Sequence, residues 1–300
     1  METHYNKLTD RLQEQFGCKV YKLALEGGMT CPNRDGTCGT GGCIFCGSDG
    51  SGAFAQTGDT VFAQIEAAKL RVAQKVKNGK YIAYFQNFSN TYAPVSYLEP
   101  LFRAAISHPD VVILSIATRP DCLPEPVLAL LEQLNRIKPV WVELGLQTIH
   151  TQTAAYIRRG YELTVYEQAV QALRQRGITV ITHVILGLPG ETKEDMLQTV
   201  RYTGQHTDGI KLQLLHVLRG TDLAADYEAG LFQTLEQDEY IRLVLDCLQV
   251  LPPHVVIHRL TGDGAKKDLI APLWSADKKR VLNAMSHAIA EANVKQGAWL

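Results

Sequence analysis

Seven short apolar runs, separated by segments of helical periodicity, constrain the fold of this chain more than any other feature. They are K-V-Y-K-L-A-L from Lys19, Y-I-A-Y-F from Tyr81, V-V-I-L-S-I-A from Val111, V-W-V-E-L from Val140, I-T-V-I-T-H-V-I-L from Ile178, I-K-L-Q-L-L from Ile210 and V-V-I-H-R-L from Val255. Mostly continuous apolar stretches of this length suit strands buried on both faces of a parallel sheet. Between them, Thr60 is placed to cap a helix carrying Val61, Ile65, Ala68, Val72 and Val76 on one stripe. Further stripes use Leu98, Leu101, Phe102, Ala105 and Ile106, and then Ile241, Val244, Leu245 and Leu248. Most runs start roughly 30 to 45 residues apart, the repeat of successive strand–helix units. The pattern predicts an α/β fold. A partial barrel of about six β/α units would cover residues 1–215, closed by a helix-rich C-terminal extension over residues 216–300 that contains one late strand.

The first interval is the exception, at about 60 residues. In β/α barrels the loops after the C-terminal ends of strands carry the chemistry, and this one holds Cys31, Cys38, Cys43 and Cys46. Cys43 and Cys46 form a C-x2-C pair, which lets two thiolates meet one metal centre from a tight turn. Cys31 lies twelve positions before Cys43 across a Gly-rich loop. Soft thiolates at such spacing select zinc or iron–sulfur. Cys38 would complete a closed zinc site of four thiolates, and on spacing alone the two metals stand level. A disulfide framework fits poorly, because the seven cysteines are an odd, clustered set and the first residues, M-E-T-H-Y-N-K-L-T-D-R-L, contain no apolar signal core. No stretch approaches the ~18 apolar residues of a membrane span. A cytoplasmic setting without membrane attachment is expected. With 30 basic and 31 acidic residues, the net charge of −1 argues against a generally basic nucleic-acid binder and leaves room for a local basic patch.

The segment C-P-N-R-D-G-T-C-G-T-G-G-C-I-F-C, from Cys31 to Cys46, resembles the radical S-adenosylmethionine (radical SAM) superfamily, in the branch with a C-x11-C-x2-C cluster motif. The resemblance implies a [4Fe–4S] cluster held by Cys31, Cys43 and Cys46, with Cys38 a bystander. Three thiolates on four irons leave one iron open for the amino and carboxylate groups of S-adenosylmethionine. An electron from a donor such as flavodoxin or ferredoxin then yields a 5′-deoxyadenosyl radical that abstracts hydrogen from the substrate.

The resemblance covers nearly the whole chain and implies where the cofactor sits. F-Q-N-F-S-N-T-Y-A-P occupies the place of the superfamily's Gly-Gly-Glu segment, so Ser89, Asn90 and Thr91 would meet the methionine amino group. A plain turn cap is the alternative. In W-V-E-L-G-L-Q-T, the resemblance places Glu143 and Gln147 at the ribose and methionine moieties. An acid on an otherwise apolar strand is costly without a hydrogen-bonding partner, and a structural carboxylate is the alternative for Glu143. Y-I-R-R-G-Y-E resembles the family's Arg-Gly-His segment, placing the Arg159 fork at the cofactor carboxylate. H-V-I-L-G-L-P-G-E resembles the adenine-binding motif through Leu186, Gly187, Leu188 and Pro189, and His183 at its start is either a substrate group facing the barrel interior or a core histidine. Farther on, H-R-L-T-G-D-G-A-K-K-D and A-P-L-W-S-A-D-K-K-R supply Arg259, Asp263, Lys266, Lys267 and Lys278 as candidates for a phosphate-bearing substrate. A salt-bridged surface loop is the alternative there.

C-P-N-R-D-G-T, F-S-N-T-Y-A-P, S-I-A-T-R-P-D and H-R-L-T-G-D-G are together similar to one bacterial subfamily, the MnmL group of YtqA/YhcC type, related to the Elongator-subunit-like radical SAM proteins. The activity this implies is tRNA wobble-uridine modification, taking 5-carboxymethylaminomethyl-uridine to 5-aminomethyl-uridine, with tRNA as partner. Its rivals are a porphyrinogen-oxidase-like radical enzyme acting on a small molecule, a zinc-stabilised RNA-binding protein, and an iron–sulfur electron carrier. The last would need no barrel of this size.

Overall fold

In the computed structural model, which describes residues 4–47, 50, 55–76, 78–262, 264 and 266–300, all seven apolar runs are strands of one parallel sheet. Helix α1 (Leu8–Phe16) precedes β1 (Val20–Leu25), α2 (Val61–Val72), β2 (Lys80–Phe85), α3 (Val95–Ser107) and β3 (Val111–Thr118). Then come α4 (Glu125–Asn135), β4 (Val140–Gln147), α5 (Thr151–Tyr156), α6 (Leu163–Gln175), β5 (Thr179–Leu186), α7 (Lys193–His206) and β6 (Gly209–Leu214). The C-terminal part adds β7 (Val217–Leu218), α8 (Asp222–Glu228), α9 (Gln237–Val250), β8 (Val256–Arg259), β9 (Leu269–Ala271) and α10 (Lys278–Glu291). Strand order is β1-β2-β3-β4-β5-β6-β8, and β7 pairs with β9 in a small antiparallel ribbon. The late strand β8 is hydrogen-bonded to β6, so it extends the expected six-strand barrel by a seventh strand in the same sheet.

Local chemistry explains the elements that flank the first loop. The Thr60 side chain accepts a hydrogen bond from the amide of Ala63, capping α2 as its spacing requires. The stripe then continues only to Val72, and Val76 is buried just beyond the helix end. Outward-facing strand residues such as Phe85, Leu114 and Val142 meet helix residues including Leu98, Phe102 and Leu131 in the larger core. Phe85 and Phe102 stand edge to face with centroids 5.2 Å apart. A second core joins Val184, Leu212 and Ile257 to α9 and α10 through Val244, Leu248 and Met285. Among the described residues no helix is long and apolar enough to cross a membrane.

The sheet is rolled. In a flat sheet β2 and β6 would lie four strand spacings apart, about 19 Å, yet Lys211 Nζ on β6 donates to the Tyr84 hydroxyl on β2 at 3.2 Å. These side chains therefore meet inside a half-barrel. Below them the interior is apolar: Val20, Ile82, Ile113, Trp141 and Ile181 gather around Leu12 of α1. Helix α1 touches both edge strands, β1 and β8, and so lies across the gap that the open sheet leaves.

Candidate active site

Three sets of residues converge on the barrel: the cysteine loop after β1, the ends of β2, β4 and β5, and a polar layer on the interior floor. In the first, the amides of Arg34 and Asp35 both donate to the Cys31 carbonyl, at 2.8 and 3.3 Å, and wind the loop into a turn. The Cys46 amide donates to the Cys43 carbonyl at 3.0 Å, closing the C-x2-C turn. Arg34 holds that turn from outside, with Nη2 donating to the carbonyls of Cys46 (3.2 Å) and Gly47 (2.6 Å). Buried Asn33 bonds the Cys43 sulfur at 3.5 Å and the Arg158 carbonyl at 2.6 Å, tying the loop to the segment after α5. A hydrogen bond from Cys46 brings the Cys43 thiol down to about 7 against the opposing effect of burial, with Arg119, Asn33 and Arg34 adding to the drop. A thiolate is the ligating form. Exposed Cys38 lies instead against Arg119 Nη2, at 4.0 Å, and its thiol is raised by desolvation. Among the described residues no three His, Cys, Asp or Glu side chains converge closely enough to hold a single ion. The thiolates of a four-iron cube stand farther apart than the ligands of one ion.

Buried polar atoms without partners mark the mouth above this loop. Among the described residues Asn87 Oδ1, Asn90 Oδ1 and Gln147 Oε1 find no hydrogen-bond partner, and Ser89 Oγ has no more than a weak approach to the Cys122 thiol. Leaving such a group unsatisfied costs about 1–3 kcal/mol. Phe88, three residues past β2, and Gln147, the last residue of β4, have φ of 57° and 71°, a left-handed backbone that only a surrounding structure sustains in such residues. A Cβ on Gly145 would stand 2.9 Å from Gln147 Nε2, so a side chain there would displace the end of the Gln147 side chain. After β5, Gly187 has φ of 89°, and a Cβ there would meet Leu235 at 3.1 Å. Leu186 and Leu188 are buried in the core, so a base resting on this segment would meet its backbone and Pro189.

Three expected cofactor groups are otherwise engaged. The Thr91 hydroxyl is shared between Thr118 Oγ1 (2.6 Å) and the Cys122 carbonyl (2.5 Å). Arg159 donates through Nη1 to the carbonyls of Leu146 and Thr148, and through Nε and Nη2 to that of Tyr161. It therefore braces the backbone around Gln147 and presents no open fork to a carboxylate. Glu143, expected at the ribose, lies fully buried in the floor layer with both oxygens taken. Oε1 accepts from Lys22 Nζ and Ser115 Oγ, each at 2.6 Å, and Oε2 accepts from Lys211 Nζ and pairs with His183 Nε2 at 2.8 Å. Burial opposes its charge, but Lys211, Lys22 and the His183 bond together hold the carboxyl well below the usual range. His183, read from sequence as either an interior substrate group or a core histidine, lies in the interior bonded to Glu143, and burial next to Lys211 lowers it to about 4, leaving a neutral imidazole at physiological pH.

Lys22, Tyr84, Ser115 and Lys211 were not singled out from sequence. Their signal was a polar residue interrupting an otherwise apolar run, on the face that the roll of the sheet turns inward. Of the substrate candidates, Arg259 lies in register with Lys211 and reaches Gln213 Oε1 at 3.5 Å. Lys266 and Lys267 are exposed in the turn before β9, and Lys278 opens α10. Asp263 lies outside the described residues.

A half-barrel of parallel strands with a four-cysteine loop after its first strand defines a class, and comparison with known proteins agrees. Residues 34–203 match the model of the radical SAM superfamily and residues 207–291 that of the radical SAM C-terminal domain. The chain belongs to the radical SAM superfamily, whose enzymes use a [4Fe–4S] cluster and S-adenosylmethionine. It is 46% identical over 300 residues to YtqA of Bacillus subtilis (strain 168), covering 99% of this chain and 93% of that protein. With YhcC of Escherichia coli (strain K12) it shares 38% identity over 295 residues, 96% of this chain and 94% of that one. The tRNA uridine(34) acetyltransferase of Methanocaldococcus jannaschii is 26% identical over 156 residues, 51% of this chain and 28% of that protein. Among solved structures, Methanocaldococcus infernus Elp3 superposes with a TM-score of 0.69 at 17% identity, over 92% of this chain and 64% of that one. The chain thus spans less than two thirds of the Elp3 structure whose fold it shares.

Proposed function

We propose that this radical SAM enzyme modifies the wobble uridine of tRNA, converting 5-carboxymethylaminomethyl-uridine to 5-aminomethyl-uridine. Cys31, Cys43 and Cys46 hold the cluster, and Cys38 stays outside it. The donor set fits: two thiols of a tight turn share a hydrogen bond, and Arg34 and Asn33 fix the loop around them. The partnerless oxygens of Ser89, Asn90 and Gln147 fit the polar methionine and ribose groups of S-adenosylmethionine, and the backbone from Leu186 to Pro189 fits its base. When bound, cluster and cofactor supply a 5′-deoxyadenosyl radical, with the electron drawn from a flavodoxin or ferredoxin. The chain's own contribution is to orient these groups, to exclude water, and to present the uridine substituent at the barrel mouth. Arg159 and Thr91 act one step back by holding the loops after β4 and β2.

The observation that carries the tRNA reading is the likeness, over half of the chain, to a tRNA uridine(34) acetyltransferase. A local feature supports it. Lys278, Lys279 and Arg280 occupy the first turn of α10, where the helix dipole disfavours cations, so these charges do not serve the helix. With exposed Lys266 and Lys267 they would supply the basic contacts to phosphates that position an anticodon loop whose unstacked base enters the barrel. The small-molecule rival has no comparable use for those contacts.

The test combines anaerobically reconstituted enzyme, reductant and S-adenosylmethionine with tRNA bearing the carboxymethylaminomethyl group, followed by mass spectrometry of its nucleosides. The aminomethyl product should form only with cofactor and all three cluster cysteines present. Affinity for the tRNA should fall with added salt, and replacing Lys279 and Arg280 by Gln should flatten that dependence. Cleavage of S-adenosylmethionine with the nucleoside left intact would sink the substrate and spare the enzyme class.

A further inference from the structure

The polar floor of the barrel brings two ammonium groups to a single carboxylate. Lys22 on β1 and Lys211 on β6 both bond Glu143. Each ammonium has three donors. Among the described residues Lys22 uses one, on Glu143, and Lys211 uses two, on Glu143 and the Tyr84 hydroxyl. Both nitrogens also face the Tyr84 ring, at 4.5 and 4.6 Å from its centroid. Aromatic faces attract cations but carry no compensating charge. His183 is bonded to Glu143 and is neutral there, so it offsets nothing. Arg259 stands in register beside Lys211 and adds to the positive field. Burial depresses both lysines, Lys211 the further, as expected of cations held in a site short of negative charge.

Two residues along the same strands from Lys22, Ser115 and Glu143 stand the small residues Ala24, Ala117 and Gly145, with only the end of the Gln147 side chain reaching over Gly145. The Lys22 and His183 side chains retain 21% and 15% exposure although they lie inside the barrel. A group reaching down from the mouth meets Lys22 first, with Lys211, 3% exposed, on the far side of Glu143.

We propose that Lys22 and Lys211 form a carboxylate-binding subsite, which receives the carboxylate of a glycine-like substituent on the substrate beside Glu143. The two ammonium groups that bond Glu143 carry one positive charge more than it offsets, which a monoanionic carboxylate matches. The identity of the substituent rests on the wobble-uridine reading, whereas the charge count does not. The subsite would orient the substituent and discriminate the carboxymethylated nucleoside from its aminomethyl product, which lacks the anion.

Calorimetric titration of the reconstituted enzyme at constant chloride tests this, with four probes: 5-carboxymethylaminomethyl-uridine, 5-aminomethyl-uridine, N-methylglycine and methylamine. The carboxylated nucleoside and N-methylglycine should bind in preference to the two amines. Lys22→Met and Lys211→Met should each weaken carboxylate binding at least tenfold, and Lys22→Arg should restore most of it. Should Lys211→Met fail to fold, the part-exposed Lys22 position carries the test, with circular dichroism confirming its fold. Equal affinity for the two nucleosides, or carboxylate binding unchanged in folded Lys22→Met, overturns the subsite. Lys22-dependent binding of N-methylglycine by an enzyme that leaves the tRNA nucleoside untouched keeps the subsite and removes the substrate reading. Conversion of that nucleoside without Lys22-dependent carboxylate binding does the reverse.

Discussion

Replacing Glu143 by Gln preserves the shape of the side chain and removes the one carboxylate that Lys22, Lys211, Ser115 and His183 share. The amide keeps one acceptor oxygen, so two of the four contacts survive, but the two ammonium groups lose their counter-charge. Breaking a buried pair by removing one partner costs about 3–5 kcal/mol. The 21% exposure of the Lys22 side chain moves the expectation toward the lower end, about 3 kcal/mol, or roughly two decades in the unfolding equilibrium. The pH dependence has a definite sign. Both lysines titrate lower in the fold than in the unfolded chain, so between those values the unfolded state binds more protons and stability rises with pH. Removing the Glu143 charge lowers the lysine values further and widens that window. The gap between variant and parent should therefore narrow as pH climbs from about 7 toward the unfolded lysine value near 10.4. It should also narrow in acid, because the depressed Glu143 carboxyl contributes above its unfolded value and loses that contribution as pH falls through its folded one. Anaerobic urea unfolding followed by circular dichroism at several pH values measures both effects. A loss below about 1 kcal/mol, or a gap that stays constant with pH, would refute the charged network described here.

Two further expectations concern the mouth. Cys43→Ala should strip the iron–sulfur absorption, whereas Cys38→Ala should leave iron content near normal; equal loss in both would favour a closed site of four thiolates. Ser89→Ala and Gln147→Asn should keep the cluster spectrum and weaken S-adenosylmethionine binding by about one to two decades in dialysis. In contrast, Arg159→Lys should chiefly lower thermal stability, since its partners are backbone carbonyls. Cofactor affinity unaltered in both mouth variants would mean that their partnerless oxygens face something else.

Strand positions were legible because strands buried on both faces must be apolar nearly throughout, and each run became one strand. The cap at Thr60 was equally local. What sequence could not supply was the partner of each interior polar residue. Glu143 on its strand reads as an isolated acid in need of a hydrogen bond. That its donors come from β1, β3, β5 and β6 depends on how far the sheet rolls, which no window of the sequence encodes. Arg159 failed in the opposite direction. Its neighbours promised a fork for a ligand, and the carbonyls of Leu146, Thr148 and Tyr161 claimed it because a buried backbone turn must satisfy its own acceptors.

The gap between the edge strands is shut by pieces from opposite ends of the numbering. Lys7 bridges to Ile257, the Ile257 amide donates to the Asn6 carbonyl, and Gln296 bonds Asn6, Pro252 and Val255. During synthesis the cysteine loop emerges from the ribosome some 250 residues ahead of Gln296, a lead of about 12–50 s at ordinary elongation rates. Through that interval the barrel is incomplete, with its strands from β2 onward still being made and the seam not yet stitched. Metal delivered then meets an open vessel, and metal delivered afterwards must enter a closed one.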